Sequence, residues 1–302
     1  MDKLRRSDFT ATNVGLILAY GICRVLPLSW VSAFGAWRGR YQAERLRELE
    51  ARACINLAKI APEMDPETVR TVLAALKRES GRAAVEVLIS DRLIQAKRVQ
   101  WIPHDAFDRA IAQNRSVVFA LPHLSNLGDI LCGDIFNRFT HFNNVDVVVR
   151  PIRNPILRRI VMRGRALLSR DKPIRVQTPA PGLAKRALQN LRQPPSALML
   201  HVDEARGKQV PFPGFGKPLP TKGLNAHYTV RFARGSDAIL VTVALHRHTD
   251  SPTRFTAKVL KVWDMACEPS TDQEVIQQME QALETEISQK PSEWLNIYHR
   301  RP

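Results

Sequence analysis

His123 closes the run Ser116-Val-Val-Phe-Ala-Leu-Pro-His123 and opens the segment His123-Leu-Ser-Asn-Leu-Gly-Asp129. A neutral imidazole can take a proton from a hydroxyl near neutral pH. A neighbouring carboxylate fixes its tautomer and stabilises the imidazolium that forms. Asp129 is the first carboxylate downstream. Six positions along a helix is about one and two-thirds turns, so pairing it with His123 requires a bend or a non-helical first turn. On spacing alone, a general base with its orienting acid and a hydrogen-bonded structural pair both fit.

Two further groups could carry chemistry. Seven arginines (150, 153, 158, 159, 163, 165 and 170) fall within 21 residues with no acidic residue among them. Guanidinium forks suit phosphate and carboxylate oxygens, although a solvated basic helix face has the same composition. Asp203-Glu204 ends an apolar run and precedes the Pro- and Gly-rich loop from Val210 to Gly223. That loop matches neither a P-loop nor a dinucleotide fingerprint. Its Phe212 and Phe215 fit either a core plug or the wall of an apolar channel.

These residues need a scaffold. Short apolar runs at 117–122, 146–151, 196–203, 237–247 and 254–263 read as buried strands. Between them, residues 127–136, 154–168, 182–191 and 223–233 read as helices. The alternation implies an α/β fold, a single mixed sheet flanked by helices. Upstream, residues 44–60 and 66–98 read as helices, with Asp65-Pro66 as the cap and first turn of the second. Residues 271–289 form a last helix, rich in carboxylates and without Lys or Arg. We divide the chain into an N-terminal membrane-attachment segment, 1–40, and an α/β domain, 41–302.

The segment Val14 to Trp37 is long enough to span a bilayer, but Arg24 lies inside it and Pro27 interrupts it. An arginine at mid-span costs about 2.5–3.5 kcal/mol on insertion scales. Basic flanks (Lys3, Arg5 and Arg6; Arg38, Arg40, Arg45 and Arg47) suit an interfacial helix, or a span that leaves the rest of the chain cytoplasmic. A core helical hairpin is the alternative. The whole chain has 302 residues, with 45 Lys+Arg against 29 Asp+Glu and a net charge of +16. That excess favours anionic partners without choosing among them. Aromatic residues are only 7% and do not interleave with the arginines, which argues against nucleic acid. The four cysteines (23, 54, 132 and 267) lack metal-finger or C-x-x-C spacing and read as reduced, buried small hydrophobes.

The order of these blocks resembles the lipid A biosynthesis acyltransferases, the lauroyl/myristoyl transferases of Gram-negative bacteria. The matching blocks begin with the N-terminal apolar segment followed by Asn56-Leu57, and with His123-Leu-Ser-Asn, similar to the family's H-x-x-x-x-E/D motif. Val149-Arg150-Pro follows, with Asn154-Pro and Gly164-Arg165; then Asp203 with Pro213-Gly-Phe-Gly and Thr221; then the tail Pro291-Ser-Glu-Trp-Leu-Asn-Ile-Tyr-His299-Arg-Arg. The resemblance implies a glycerolipid-acyltransferase-like fold. It also implies transfer of a fatty acyl chain from an acyl carrier protein thioester, with coenzyme A as the secondary choice of donor, to a hydroxyl of a phosphorylated lipid A precursor. His123 would be the general base and Asp129 its orienting acid. Arg150, Asn154, Arg163, Arg165, Asp203 and Thr221 would bind substrate, with no metal or other cofactor. Acyl carrier protein, lipid acceptor and the cytoplasmic face of the inner membrane would be the partners.

One departure stands out: the family acid belongs five residues after the histidine, at Gly128, and Asp129 lies one further on. A local bulge, a weakened acid role and a loss of activity are all open. Rival readings are a glycerophospholipid or ornithine-lipid acyltransferase, and a non-catalytic basic protein that binds lipid or nucleic acid.

Overall fold

The computed structural model describes residues 10–41, 47–125, 128–168, 174–204 and 210–299. Lys3, Arg5, Arg6, Arg45, Arg170, Arg300 and Arg301, and the expected helix starts at Glu44 and Leu127, lie outside the described residues.

Five helices lead into the sheet: α1 (Ala11–Val25), α2 (Leu28–Tyr41), α3 (Arg47–Ile60), α4 (Pro66–Glu86) and α5 (Ser90–Gln95). The remaining order is β1 (Val99–Trp101), α6 (Asp105–Ala112), β2 (Val117–Leu121), α7 (Asp129–Arg138), β3 (Asn144–Val148), α8 (Pro155–Leu168), β4 (Ile174–Gln177), α9 (Leu183–Leu191), β5 (Ser196–His201), α10 (Asn225–Arg234), β6 (Ile239–Arg247), β7 (Phe255–Asp264) and α11 (Asp272–Gln289). Two 3-10 turns, Pro291–Glu293 and Leu295–His299, end the described chain.

The strands form one seven-stranded mixed sheet in the order β1-β7-β6-β2-β5-β3-β4. β6 and β7 pair antiparallel, and every other pairing is parallel. This is the expected α/β fold. The central strands β2, β5 and β6 are buried throughout because helices cover both faces. Val118 and Ala120 of β2 enter one core with α3, α4, α10 and α11, while Val117, Phe119 and Leu121 enter the other with α1, α5, α7 and α8.

Local signals explain several boundaries. Asp65 Oδ1 accepts from the backbone N–H of Glu67 (2.8 Å) and Thr68 (2.9 Å), capping α4 ahead of Pro66. The single helix expected over 66–98 is divided. The backbone leaves helical geometry at Ile89 (φ −129°), and Leu88 and Ile89 are both buried at the break. β1, β4 and α6 were not expected; three- and four-residue strands are too short to show a period. Cys23 and Cys132 are buried, as expected, but Cys267 is exposed because it sits in the turn after β7.

The N-terminal stretch is two helices meeting at Leu26-Pro27, where the proline cannot extend α1. Arg24 turns inward: its Nη1 donates to both oxygens of the buried Asp91 (2.8 and 2.6 Å). α2 lies backbone-to-backbone on α4. A Cβ added at Gly39 would stand 2.1 Å from the Lys77 carbonyl, and one at Gly81 2.2 Å from the Gly35 carbonyl. No helix among the described residues is long and apolar enough to cross a membrane.

Candidate active site

Sheet register builds the site. Leu121 of β2 pairs with His201 of β5, both at the C-terminal ends of parallel strands. The ladder continues one step, with Val202 N donating to the Leu121 carbonyl at 3.0 Å. His123 and Asp203 each follow two residues beyond the paired ends, so they emerge side by side where α/β sheets hold ligands. His123 Nδ1 lies 2.7 Å from Asp203 Oδ1, and the His123 backbone N–H donates to Asp203 Oδ2 at 2.9 Å. Trp294 Nε1 donates to the same Oδ2 at 2.8 Å, and Asn296 Nδ2 donates to the Asp203 carbonyl at 2.7 Å.

Asp203 is fully buried. Burial alone would raise its carboxyl, but the charge and hydrogen bonds of His123, with Trp294 adding, bring it down to about 2. Burial likewise disfavours the His123 imidazolium, yet the Asp203 charge and hydrogen bond outweigh it, and Glu204 and Asp129 add to them. The net effect raises the His123 pKa. With Nδ1 committed to Asp203, the second ring nitrogen is the one available to a substrate. Glu204 Oε2 stands 3.9 Å from Nε2, and Glu204 Oε1 lies 3.6 Å from Arg150 Nη1.

The turn carrying His123 is pinned from the C-terminal tail. Leu295 N donates to the His123 carbonyl (3.1 Å), Ser125 N to the Glu293 carbonyl (2.8 Å), and Ser125 Oγ to Glu293 Oε2 (2.9 Å). Arg247 Nη2 donates to the Ser125 carbonyl at 2.8 Å. The ring of His201 stacks on the ring of His123, with centroids 4.2 Å apart.

Residues 4–301 match the family described as Bacterial lipid A biosynthesis acyltransferase. The chain belongs to that family. No curated protein matches it. Membership makes the chain an acyltransferase of lipid A biosynthesis, acting on a lipid acceptor.

Within this acyltransferase the expected residues separate into distinct roles. The expected contact between His123 and Asp129 is replaced: the carboxylate bonded to the ring is Asp203, which the sequence suggested only as a substrate ligand. Asp129, the first residue of α7, instead accepts at Oδ1 from Arg165 Nε (2.9 Å) and Nη2 (2.6 Å). Nor is there room for a carboxylate one residue earlier. Gly128 has φ +93°, and a Cβ there would stand 2.2 Å from both Cε1 and Nε2 of His201.

Asn154 acts as a helix cap: its Oδ1 accepts from Leu157 N at the start of α8, and its Nδ2 donates to Asn13 Oδ1 of α1, both at 2.8 Å. Arg150 and Arg163 are exposed, as is Thr221 in the loop before α10. No described contact ties Arg163 or Thr221 to His123. The reading of the sequence missed His201, Glu204, Trp294 and Asn296 as neighbours of His123. The signal for Trp294 and Asn296 was present in the aromatic, polar tail.

One ligand atom from each of His123, His201 and Asp203 lies within 4.8 Å of the others, a possible metal-binding set. The Asp203 oxygens, however, already accept from the His123 ring, the His123 backbone and Trp294. A cation would have to displace these donors and consume the imidazole as a base.

Proposed function

We propose that this chain transfers a fatty acyl group from an acyl carrier protein thioester to a hydroxyl of a phosphorylated lipid A precursor, with His123 as general base and Asp203 as its orienting carboxylate. The observation that carries the reading is the 2.7 Å contact between His123 Nδ1 and Asp203 Oδ1. It fixes the tautomer that leaves Nε2 to accept a proton. The acceptor hydroxyl gives its proton to Nε2 as its oxygen attacks the thioester carbonyl. The tetrahedral intermediate then collapses, the C–S bond breaks, and the proton passes from the imidazolium to the departing sulfur. The oxyanion needs a donor aimed at it, and Arg150, beside Glu204 at the mouth of the site, is our choice.

The exposed arginines of α8 and the net charge of +16 suit both an acidic carrier protein and lipid phosphates. Coenzyme A thioesters are the secondary donor. No metal or further cofactor enters the scheme, since the reactive group arrives with the donor. Asp129 and Arg165 stay as a paired wall of the site.

For location we propose the cytoplasmic face of the inner membrane, with α1 and α2 lying in the interface. Val25 (80%), Trp30 (65%) and Tyr41 (72%) head a set of exposed large apolar side chains on these two helices. Turned outward, they fit lipid better than water.

The test is a lipid A mass spectrum from a strain lacking the gene, complemented with wild type and with His123→Ala. Loss of one acyl mass, restored by wild type alone, supports the reading. Unchanged lipid A in the deletion strain, or full rescue by His123→Ala, overturns it.

A further inference from the structure

His201 is the last residue of β5, and its place is fixed from several sides. Leu121 faces it across the ladder, and Asn225 Nδ2 donates to its carbonyl at 2.7 Å. Its ring is buried at 8% exposure and lies 25° from parallel to the His123 ring, with centroids 4.2 Å apart. Its Cε1–Nε2 edge rests against Gly128, where any Cβ would collide at 2.2 Å. Its Nδ1 is buried without a hydrogen-bond partner.

An imidazole kept for its hydrogen bonds would not leave a nitrogen buried and unpaired, because that costs about 1–3 kcal/mol. The contacts the ring does make are through its face and its edge. Burial, followed by the neighbouring His123, pushes the His201 pKa down to about 3. The ring is therefore neutral wherever the enzyme works, and it adds no repulsion when its neighbour gains a proton. A neutral aromatic face against an imidazolium is, if anything, attractive.

We propose that His201 is a positioning residue for His123: a neutral, flat ring wedged between the Gly128 backbone and the face of the His123 imidazole, holding that imidazole in the plane of its Asp203 hydrogen bond. Asp203 fixes the ring edge-on, and His201 prevents it from tipping. Gly128 is the seat, since only glycine leaves space for the wedge and accepts the left-handed backbone at φ +93°. The proposal deepens the reading of His123 as the base and rests on it.

Misplacing a reacting group by about 1 Å can cost a hundredfold in rate, so the effect should appear in kcat rather than in KM. With the purified full chain, an acyl carrier protein thioester and a lipid A precursor, His201→Ala should lower kcat at least tenfold with KM within twofold. His201→Gln, a planar neutral amide, should lose threefold or less. Gly128→Ala should also lose at least tenfold. In the Gly128→Ala/His201→Ala double variant the two losses should not multiply, because both act through one ring.

A second readout needs no turnover. The proton NMR spectrum of the wild type should show a strongly deshielded His123 Nδ1–H signal that vanishes in His123→Ala. His201→Ala should broaden or lose it, and His201→Gln should keep it. Wild-type kcat in His201→Ala, an undisturbed signal in that variant, or fully multiplicative losses in the double variant each overturn the proposal. Full activity in His123→Ala would sink the base assignment instead, leaving the spectrum to judge the wedge alone.

Discussion

Asp203 and His123 are 80 residues apart in sequence and 2.7 Å apart in space, joined because β2 and β5 pair in parallel and each sends one residue the same distance past its end. The carboxylate's partners, the ring and backbone N–H groups of His123 and the indole N–H of Trp294, leave it ionised and immobile. Asp203→Asn keeps the shape and removes the charge, and it also allows the ring to adopt the wrong tautomer. In a serine protease triad the same change costs about 10⁴ in kcat. Here we expect a loss of about 10²–10⁴. Asp129→Asn, which touches Arg165 rather than the ring, should cost less than tenfold. Steady-state acyl transfer by the two variants, with circular dichroism to check folding, decides the order. A larger loss in Asp129→Asn would reverse the assignment.

His246 provides a pH signature. It is buried, with Nδ1 2.7 Å from Glu293 and Nε2 2.8 Å from Glu286. Burial opposes its charge, but the two carboxylates prevail and raise its pKa above the ordinary 6.5. The contribution is therefore full below about pH 6.5 and is lost as pH rises through the raised value. Glu286 has the opposite sign. Burial is outweighed by hydrogen bonds from His246 and Lys258, which bring it to about 2, so its share is lost as pH falls below about 4.5. Tm should be flat between those limits and fall on either side. His246→Gln should flatten the alkaline decline in a calorimetric series; an unchanged alkaline slope would show that another group is responsible.

Arg247 joins β6 to α4. Its Nη1 and Nη2 donate to Glu86 (2.9 and 2.8 Å), its Nε to Glu79 (2.5 Å), and Nη1 also to the Pro252 carbonyl. Glu86 is fully buried. Removing one partner of a buried pair strands the other charge, at a cost of about 3–5 kcal/mol. Arg247→Met should show a loss of that size in urea unfolding. Because Arg247 also holds the Ser125 carbonyl, kcat should fall with it. A loss under 1 kcal/mol would mean that the network is solvated.

Asn154 was expected to touch substrate, and its contacts make it a helix cap. Asn154→Ala should cost about 0.5–2 kcal/mol of stability, the usual range for a lost cap, while KM for the acceptor stays within twofold. Denaturant unfolding and acceptor titration separate the two roles. A KM rise above fivefold at unchanged stability would return Asn154 to the substrate.

Much of the fold could be read from local patterns, whereas the site could be read only in part. The runs Val117–Leu121 and Ser196–Leu200 announce buried strands because every residue in them is apolar or small. The cap at Asp65 announces a helix because its side chain can reach the next turn. His123 was legible for the same reason, standing where a strand must end. Its partner was not. Nearness in sequence favoured Asp129, yet the acid that meets the ring is chosen by strand register, a long-range property that one sequence does not display. Lining up the two buried runs, Val117 against Ala197, would have set Asp203 opposite His123. Gly128 carried a hint as well: a glycine where the resemblance calls for a carboxylate signals that something else fills that space, and a Cβ there would meet the ring of His201.

The outward faces of α1 and α2 carry exposed apolar side chains. Phe34, Trp37 and Tyr41 follow one another along α2, with ring centroids 5.7 and 5.1 Å apart, and all three are exposed beside Arg38 and Arg40. Aromatic rings with adjacent basic residues match the interface of an anionic bilayer, where apolar burial and charge attraction act together. Fully burying an aromatic side chain is worth about 1.5–3 kcal/mol. Half-burial of Trp37 at an interface should give about 1 kcal/mol, a factor of roughly five. Trp37→Ser should therefore weaken binding to phosphatidylglycerol-containing vesicles about fivefold, and Trp30→Ser/Trp37→Ser about 25-fold, with melting temperatures unchanged because neither ring packs in the core. Raising salt should weaken binding of all three proteins in parallel, since the arginines are untouched. Sedimentation with vesicles measures this directly. Equal binding by wild type and the double variant would show that these helices do not face the lipid.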